Sequence, residues 1–287
     1  MAAVCEHGAE SHDGTVPSVA SAPEASRAWL LIEHQGPWPR EAAQARLGPT
    51  LAALVGAAVG FGIRVQLIRR PGRRRPEAGR GMYVGWTAGQ EPWLRRIELG
   101  DGPGVDGRQV HGAPGANRRR VGAGLDLAGL DEAGPDLAGL DVTGPDLAGL
   151  DVTGLDLAGL AAGREPNLGS AVGEPLFLVC THTRRNACCA RFGGPLAQAL
   201  AARYPGQVFQ TTHLGGHRFA ANLAILPHGL YYGPVGIDEA MAAISAYQHG
   251  EVTPRRYRGR AGQPRPVQEA EHARLTQAGS LPVASLA

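Results

Sequence analysis

Short apolar runs, cut by Gly, Pro and polar residues, set the pattern of this chain. Trp29 to Glu33 opens with four apolar positions in a row, the mark of a strand buried on both faces. Pro39 then starts an Ala-, Leu- and Val-rich stretch that predicts a helix reaching about Gly60. Ile63 to Ile68 predicts a second strand, and Met82 to Trp86 and Leu94 to Leu99 predict two more. Further on, Leu176 to Val179 is an apolar run expected to be a central strand ending at Cys180. Cys180 to Arg191 reads as a loop, and Gly194 to Tyr204 as a helix with Leu196, Leu200 and Ala201 on one face. Val208 to Gln210 predicts a strand. Leu223 to Leu226 and Leu230 to Tyr232 flank Pro227-His228-Gly229, a hairpin signal, and Gly236 to Gln248 predicts a helix. The second half thus runs β-α-β, β-β, α.

Between these halves the pattern changes. From Gly124 to Ala158 seven pentads of the type G-[LP]-D-x-[AT] follow one another. Gly in every pentad weakens regular strand pairing, so the repeat reads as a low-complexity linker. The expected organisation is a polar tail over 1–26, an N-terminal α/β lobe over 27–110 and a Gly/Asp-rich linker over 111–170. A second α/β domain over 171–262 and a C-terminal tail over 263–287, with a helix candidate near Val267 to Gln277, complete it. The fold class expected is α/β, with two small lobes joined by the pentad linker.

Charge and composition narrow the function classes. The 28 basic positions are all Arg and face 26 acidic ones, and the Arg runs, among them Arg255 to Arg260, lack interleaved aromatics apart from Tyr257. They read as solvated loops, and no nucleic-acid partner is expected. No stretch is long and apolar enough to span a membrane, and Met1 to Ser26 lacks a signal-peptide pattern. Of the four cysteines, Cys180, Cys188 and Cys189 crowd together, unlike a secreted disulfide framework. A cytoplasmic setting is expected.

The chemistry concentrates between Cys180 and Asn222. Cys180 and Cys189 stand nine positions apart, and His213 and His217 follow at a spacing of four. Two soft sulfurs and two imidazoles suit a tetrahedral zinc or an iron–sulfur site. This block resembles the sucrase/ferredoxin-like family, whose second half is a thioredoxin-like [2Fe–2S] ferredoxin domain. The pattern C-x-H-x-x-R-D-x-x-C falls on Cys180, His182, Arg185, Asn186 and Cys189, with Asn186 where the family has Asp. The pattern H-x-x-G-H-R-F-A-x-N falls on His213, Gly216, His217, Arg218, Phe219, Ala220 and Asn222. Upstream, Trp29 to Glu33 and Gly36-Pro37-Trp38 resemble the family's opening segment.

The resemblance implies a thioredoxin-like C-terminal lobe holding one [2Fe–2S] cluster through Cys180, Cys189, His213 and His217. It implies an electron carrier that exchanges single electrons with a redox partner protein. The spacing selects Cys189 over its neighbour Cys188. His182, Arg185, Arg218 and Asn222 are expected around the ligands. The same four ligands could instead hold a structural zinc, although eight intervening residues between the cysteines exceed usual zinc-finger spacing. A thiol redox role for Cys188 and Cys189 is a further alternative, without the C-x-x-C motif. No carboxylate pair of a glycosidase is recognisable, and enzymatic activity is left open.

Overall fold

The structure is a computed structural model, and it describes residues 20–72, 80–99 and 154–286. Most of the pentad repeat therefore lies outside the described residues, as does segment 1–19. In the first half come β1 (Ala28–Glu33), α1 (Pro49–Gly60), β2 (Arg64–Arg69), β3 (Arg80–Trp86) and β4 (Trp93–Leu99). Then follow α2 (Leu157–Ala161), β5 (Ser170–Ala171), β6 (Leu176–Cys180), α3 (Ala187–Arg203), β7 (Val208–Thr211), β8 (Leu223–Leu226) and β9 (Leu230–Tyr232). The chain closes with α4 (Ile237–Gln248), β10 (Glu251–Val252), β11 (Tyr257–Arg260), α5 (Arg265–Ala278) and β12 (Leu281–Pro282).

The fold is mixed α/β, built on one ten-stranded sheet in the order β11-β9-β8-β6-β7-β2-β1-β3-β4-β5. The halves expected as separate lobes share this sheet. Their seam is β2 against β7, antiparallel, with Ile68 opposite Thr211 and Arg69 opposite Gln210. Within the second half β6 pairs with β7 in parallel and with β8 antiparallel, and β8 and β9 form the hairpin.

The apolar runs make sense once both sheet faces are covered. Along β6, Phe177 and Val179 face a core completed by α3 and α4, while Leu176, Leu178 and Cys180 face the opposite side. Along β1, Leu30 and Ile32 pack with Leu54 and Val55 of α1, and Trp29 and Leu31 join Leu178, Phe209 and Tyr231. That second cluster contains residues from both halves, so burial as well as strand pairing ties them together.

Four expectations change. The first helix starts at Pro49 and not at Pro39. Gly48 takes φ 72°, and Pro49 with its fixed φ supplies the first helical position. Residues ahead of it form only a 3-10 turn, Ala42–Gln44. Second, Cys180 to Arg191 is not all loop. α3 begins at Ala187, and Gly194, expected as its start, lies inside it. Third, Arg255 to Arg260 is not a solvated run. Arg258 and Arg260 lie on β11 and are only 1% and 4% exposed. Fourth, residues 20–26, read as part of a tail, pack onto that strand, as does α5, which lies where a helix near Val267 to Gln277 is expected. Arg260 and Tyr257 bond Glu271 of α5 at 2.7 and 2.9 Å. Ser21 and Ala22 donate their amides to the Arg258 carbonyl at 2.7 and 3.0 Å, and Gln268 bonds both the amide and the carbonyl of Ala22. Backbone pairing, invisible in side-chain periodicity, holds residues 20–26. The end of the repeat is also structured: Asp156 caps α2 by accepting from Gly159 N–H at 2.8 Å.

A candidate metal centre at the ends of β6 and β7

Three elements deliver three donors to one point. Cys180 is the last residue of β6 and is fully buried. Cys189 sits in the first turn of α3, also buried. His213 lies two residues beyond β7 and is half-buried. The two sulfurs and an imidazole nitrogen fall within 4.8 Å of one another. His213 Nδ1 is 3.9 Å from each sulfur.

Local sequence explains the convergence. Asn186 takes an extended conformation, and its side chain accepts from Cys188 N–H at 2.9 Å. It is a helix N-cap, a role that Asp fills equally well. The cap fixes where α3 starts and so where Cys189 points. Cys188, one residue earlier on the helix, is buried as well but is not among the converging donors. Gly193 lets α3 lie against the end of β6, because a side chain there would collide with the Cys180 carbonyl. After β7, Gly215 and Gly216 take φ 94° and 63°, turning the chain from His213 to His217. His217 opens a 3-10 turn, His217–Phe219; its side chain lies outside the described part of the structure.

The two thiols shift each other in opposite directions. The hydrogen bond from Cys189, then His213, then the His182 and Leu214 amides hold the Cys180 thiol well below its ordinary range, against burial. Cys189 is pushed up by that same bond and by burial. Two buried sulfurs and an imidazole, with no carboxylate among them, match a soft metal or an iron–sulfur cluster in donor chemistry.

The surrounding residues take distinct places. His182 is buried; its Nε2 meets the Pro39 carbonyl at 2.7 Å, its ring stands edge-on to Trp38, and its Nδ1 has no hydrogen-bond partner. Burial is the main cause that lowers its pKa. Asn222 is fully buried. It receives the Cys180 amide at its carbonyl (3.1 Å) and donates to the Gly216 carbonyl (3.1 Å). Arg185 turns outward to an ion pair with Glu41, and Arg218 is exposed over the Phe219 ring.

Sequence reasoning missed two supports. Arg64 of β2 donates to the His213 carbonyl at 3.2 Å, and the Gln66 amide meets the Thr211 and Thr212 hydroxyls at 3.2 and 2.6 Å. The N-terminal half thus braces the histidine loop. Arg258 of β11 donates to the Asn222 side-chain oxygen from beneath. Neither contact follows a spacing pattern; only the pairing of distant strands creates it.

Comparison with known proteins agrees with the site's location. Residues 139–259 match the family model described as sucrase/ferredoxin-like, a span that contains all three converging donors, His217 and Arg258. No curated protein and no solved structure matches the chain. No helix among the described residues is long and apolar enough to cross a membrane.

Proposed function

We propose that this protein is a one-electron carrier whose [2Fe–2S] cluster is held by Cys180, Cys189, His213 and His217. The observation that carries the proposal is the convergence of two buried sulfurs and one imidazole within 4.8 Å. The match to a ferredoxin-like family model over the same residues supports it. So does the strand order β9-β8-β6-β7 with its mixed directions, which is that of a thioredoxin-like unit.

A cluster bound here supplies one-electron redox chemistry, at a potential raised by imidazole ligation above the all-cysteine level of about −400 mV. The chain's own residues do the rest. Burial of Cys180 and Cys189 excludes water from the sulfurs. Amides of His182 and Leu214 stabilise negative charge on Cys180. His213, half-buried, brings the site towards solvent, where a redox partner protein docks to give or take the electron. A cytoplasmic location belongs to the same proposal.

One observation favours a second reading, a structural zinc on the same ligands. The two 3.9 Å sulfur–nitrogen separations lie near the roughly 3.6 Å edge that zinc bond lengths imply for a tetrahedron. Anaerobic purification with iron, sulfide and zinc quantified beside a visible spectrum decides between them. The cluster reading expects a red-brown protein with about two irons and two sulfides per chain. A colourless, folded protein with one zinc per chain would overturn it.

A further inference from the structure

Arg258 is 1% exposed, yet every hydrogen bond it makes among the described residues goes to a neutral group. Nε donates to the Ser21 hydroxyl at 3.0 Å and Nη2 to the Ser21 carbonyl at 2.9 Å. Nη1 donates to the Asn222 side-chain oxygen. The guanidinium lies 4.4 Å from the Phe219 ring centroid and 5.9 Å from that of Tyr231. Its electrostatic surroundings include Tyr231, the like charges of Arg218 and Arg265, and the Cys180 sulfur. Arg265 has Glu24 as its own counter-ion. Two residues further along the strand, Arg260 shows the usual solution, a buried carboxylate at 2.7 Å. A buried cation without such a partner is costly to the fold, so it calls for a compensating charge.

A reduced metal centre would supply such a charge. The Arg258 guanidinium touches Gly216, inside the loop between His213 and His217, where even a methyl group would collide with it. Through Asn222 it connects to the Gly216 carbonyl and to the amide of Cys180. We infer that Arg258 is a positioning residue of the redox centre, a built-in counter-charge that favours the more negative, reduced state and braces the histidine loop through Asn222. The redox part of this inference rests on the proposed function.

The charge balance is simple. One electron taken from a one-electron donor adds one negative charge beside a fixed positive one, with no bond made or broken. Removing the positive charge disfavours reduction, and replacing it by another cation does not.

The test is a dithionite titration of the full-length holoprotein, with midpoint potentials for the wild type, Arg258→Met, Arg258→Gln and Arg258→Lys. The Met and Gln variants are expected to bind the same iron and sulfide but to reduce less readily. The reduced-to-oxidised ratio at a fixed potential should fall about tenfold, or about 59 mV for one electron. Arg258→Lys should stay close to the wild type. Ser21→Asp is the second variant. It puts a carboxylate against the intact guanidinium and should lower the potential in the same direction, whereas Ser21→Asn should not. This pair keeps the inference testable if the Arg258 variants fail to fold. An unchanged potential in iron-loaded Arg258→Met or in Ser21→Asp overturns the inference. Zinc without iron in the wild type overturns the cluster reading. That outcome overturns the redox part of this inference as well.

Discussion

The thiol–imidazole group and the β11–α5 contact both bury polar side chains, but they finish the arrangement differently. Between β11 and α5 each group meets its complement. Arg260 and Tyr257 converge on Glu271, and all three are nearly inaccessible. At the ends of β6 and β7, Cys180, Cys189 and His213 converge on one another, with backbone amides as their other support. Two soft sulfurs and an imidazole sharing one point form a group that could hold a metal ion. A closed ion pair is no such group. The contrast separates a contact made for the fold from one made for a ligand.

The largest effect expected is at the donors. Cys180→Ala and Cys189→Ala should each abolish metal binding, read as loss of iron and of visible absorbance. Cys188→Ser should retain both, because Cys188 is not among the converging donors. Bleaching by Cys188→Ser with colour retained in Cys189→Ser would break the contrast at its ligand side.

Next comes the closed pair. Glu271→Gln leaves Arg260 buried without its counter-charge and should cost about 3–5 kcal/mol in urea unfolding. Iron per folded chain should not change. The double variant Arg260→Met with Glu271→Leu should recover much of that loss, since replacing both charges removes the desolvation penalty. If Glu271→Gln instead stripped the metal while leaving stability intact, the division between fold contact and ligand site would be wrong.

The sequence carried these two regions unequally. β1, β6, the β8–β9 hairpin and α4 were legible because both sheet faces are buried and because Pro227-His228-Gly229 marks a turn. Cys180, Cys189 and His213 lie together because β6 and β7 are adjacent parallel strands and α3 starts just beyond β6. The start of α3 was not. Gly193-Gly194-Pro195 resembles a helix boundary, yet Gly193 is interior because α3 must approach the Cys180 carbonyl closely. The β11 region was not legible either. An Arg-rich run looks solvent-facing until its partners are known, and Ser21 lies 237 positions from Arg258. The brace from Arg64 to the His213 loop depends on the β2–β7 seam, which periodicity cannot predict.

A third prediction uses pH. His228, in the hairpin turn, shares a 2.7 Å hydrogen bond with the Tyr247 hydroxyl. Burial first, and Arg260 second, push its pKa down to about 4. An unfolded chain binds the proton at about 6.5, so between these values the unfolded state holds more protons than the folded one. Stability is therefore complete above about 6.5 and declines as pH falls towards 4. Partial exposure reduces the effect, and about 1–2 kcal/mol should be lost between pH 7 and pH 5. His228→Phe should flatten that dependence in urea melts. An unchanged slope would show that His228 does not couple the hairpin to α4.

The smallest effect returns to the ligand side and tests what its first support does. Asn186 caps α3 through the Cys188 amide at 2.9 Å, at the position where the family pattern has Asp. If the residue there acts as a cap, its charge is secondary. Asn186→Ala should then lower stability by about 1 kcal/mol, because an orphan amide at the helix start loses its acceptor. Asn186→Asp should match or slightly exceed the native stability, since a carboxylate also suits the positive end of a helix. Cys189 is only three positions further on, so fraying of this turn loosens one donor while Cys180, fixed at the end of β6, stays in place. Asn186→Ala should accordingly release iron to a chelator faster than the wild type, and Asn186→Asp should not. Equal release rates in all three proteins, with equal stability, would mean that packing through Gly193 alone positions Cys189.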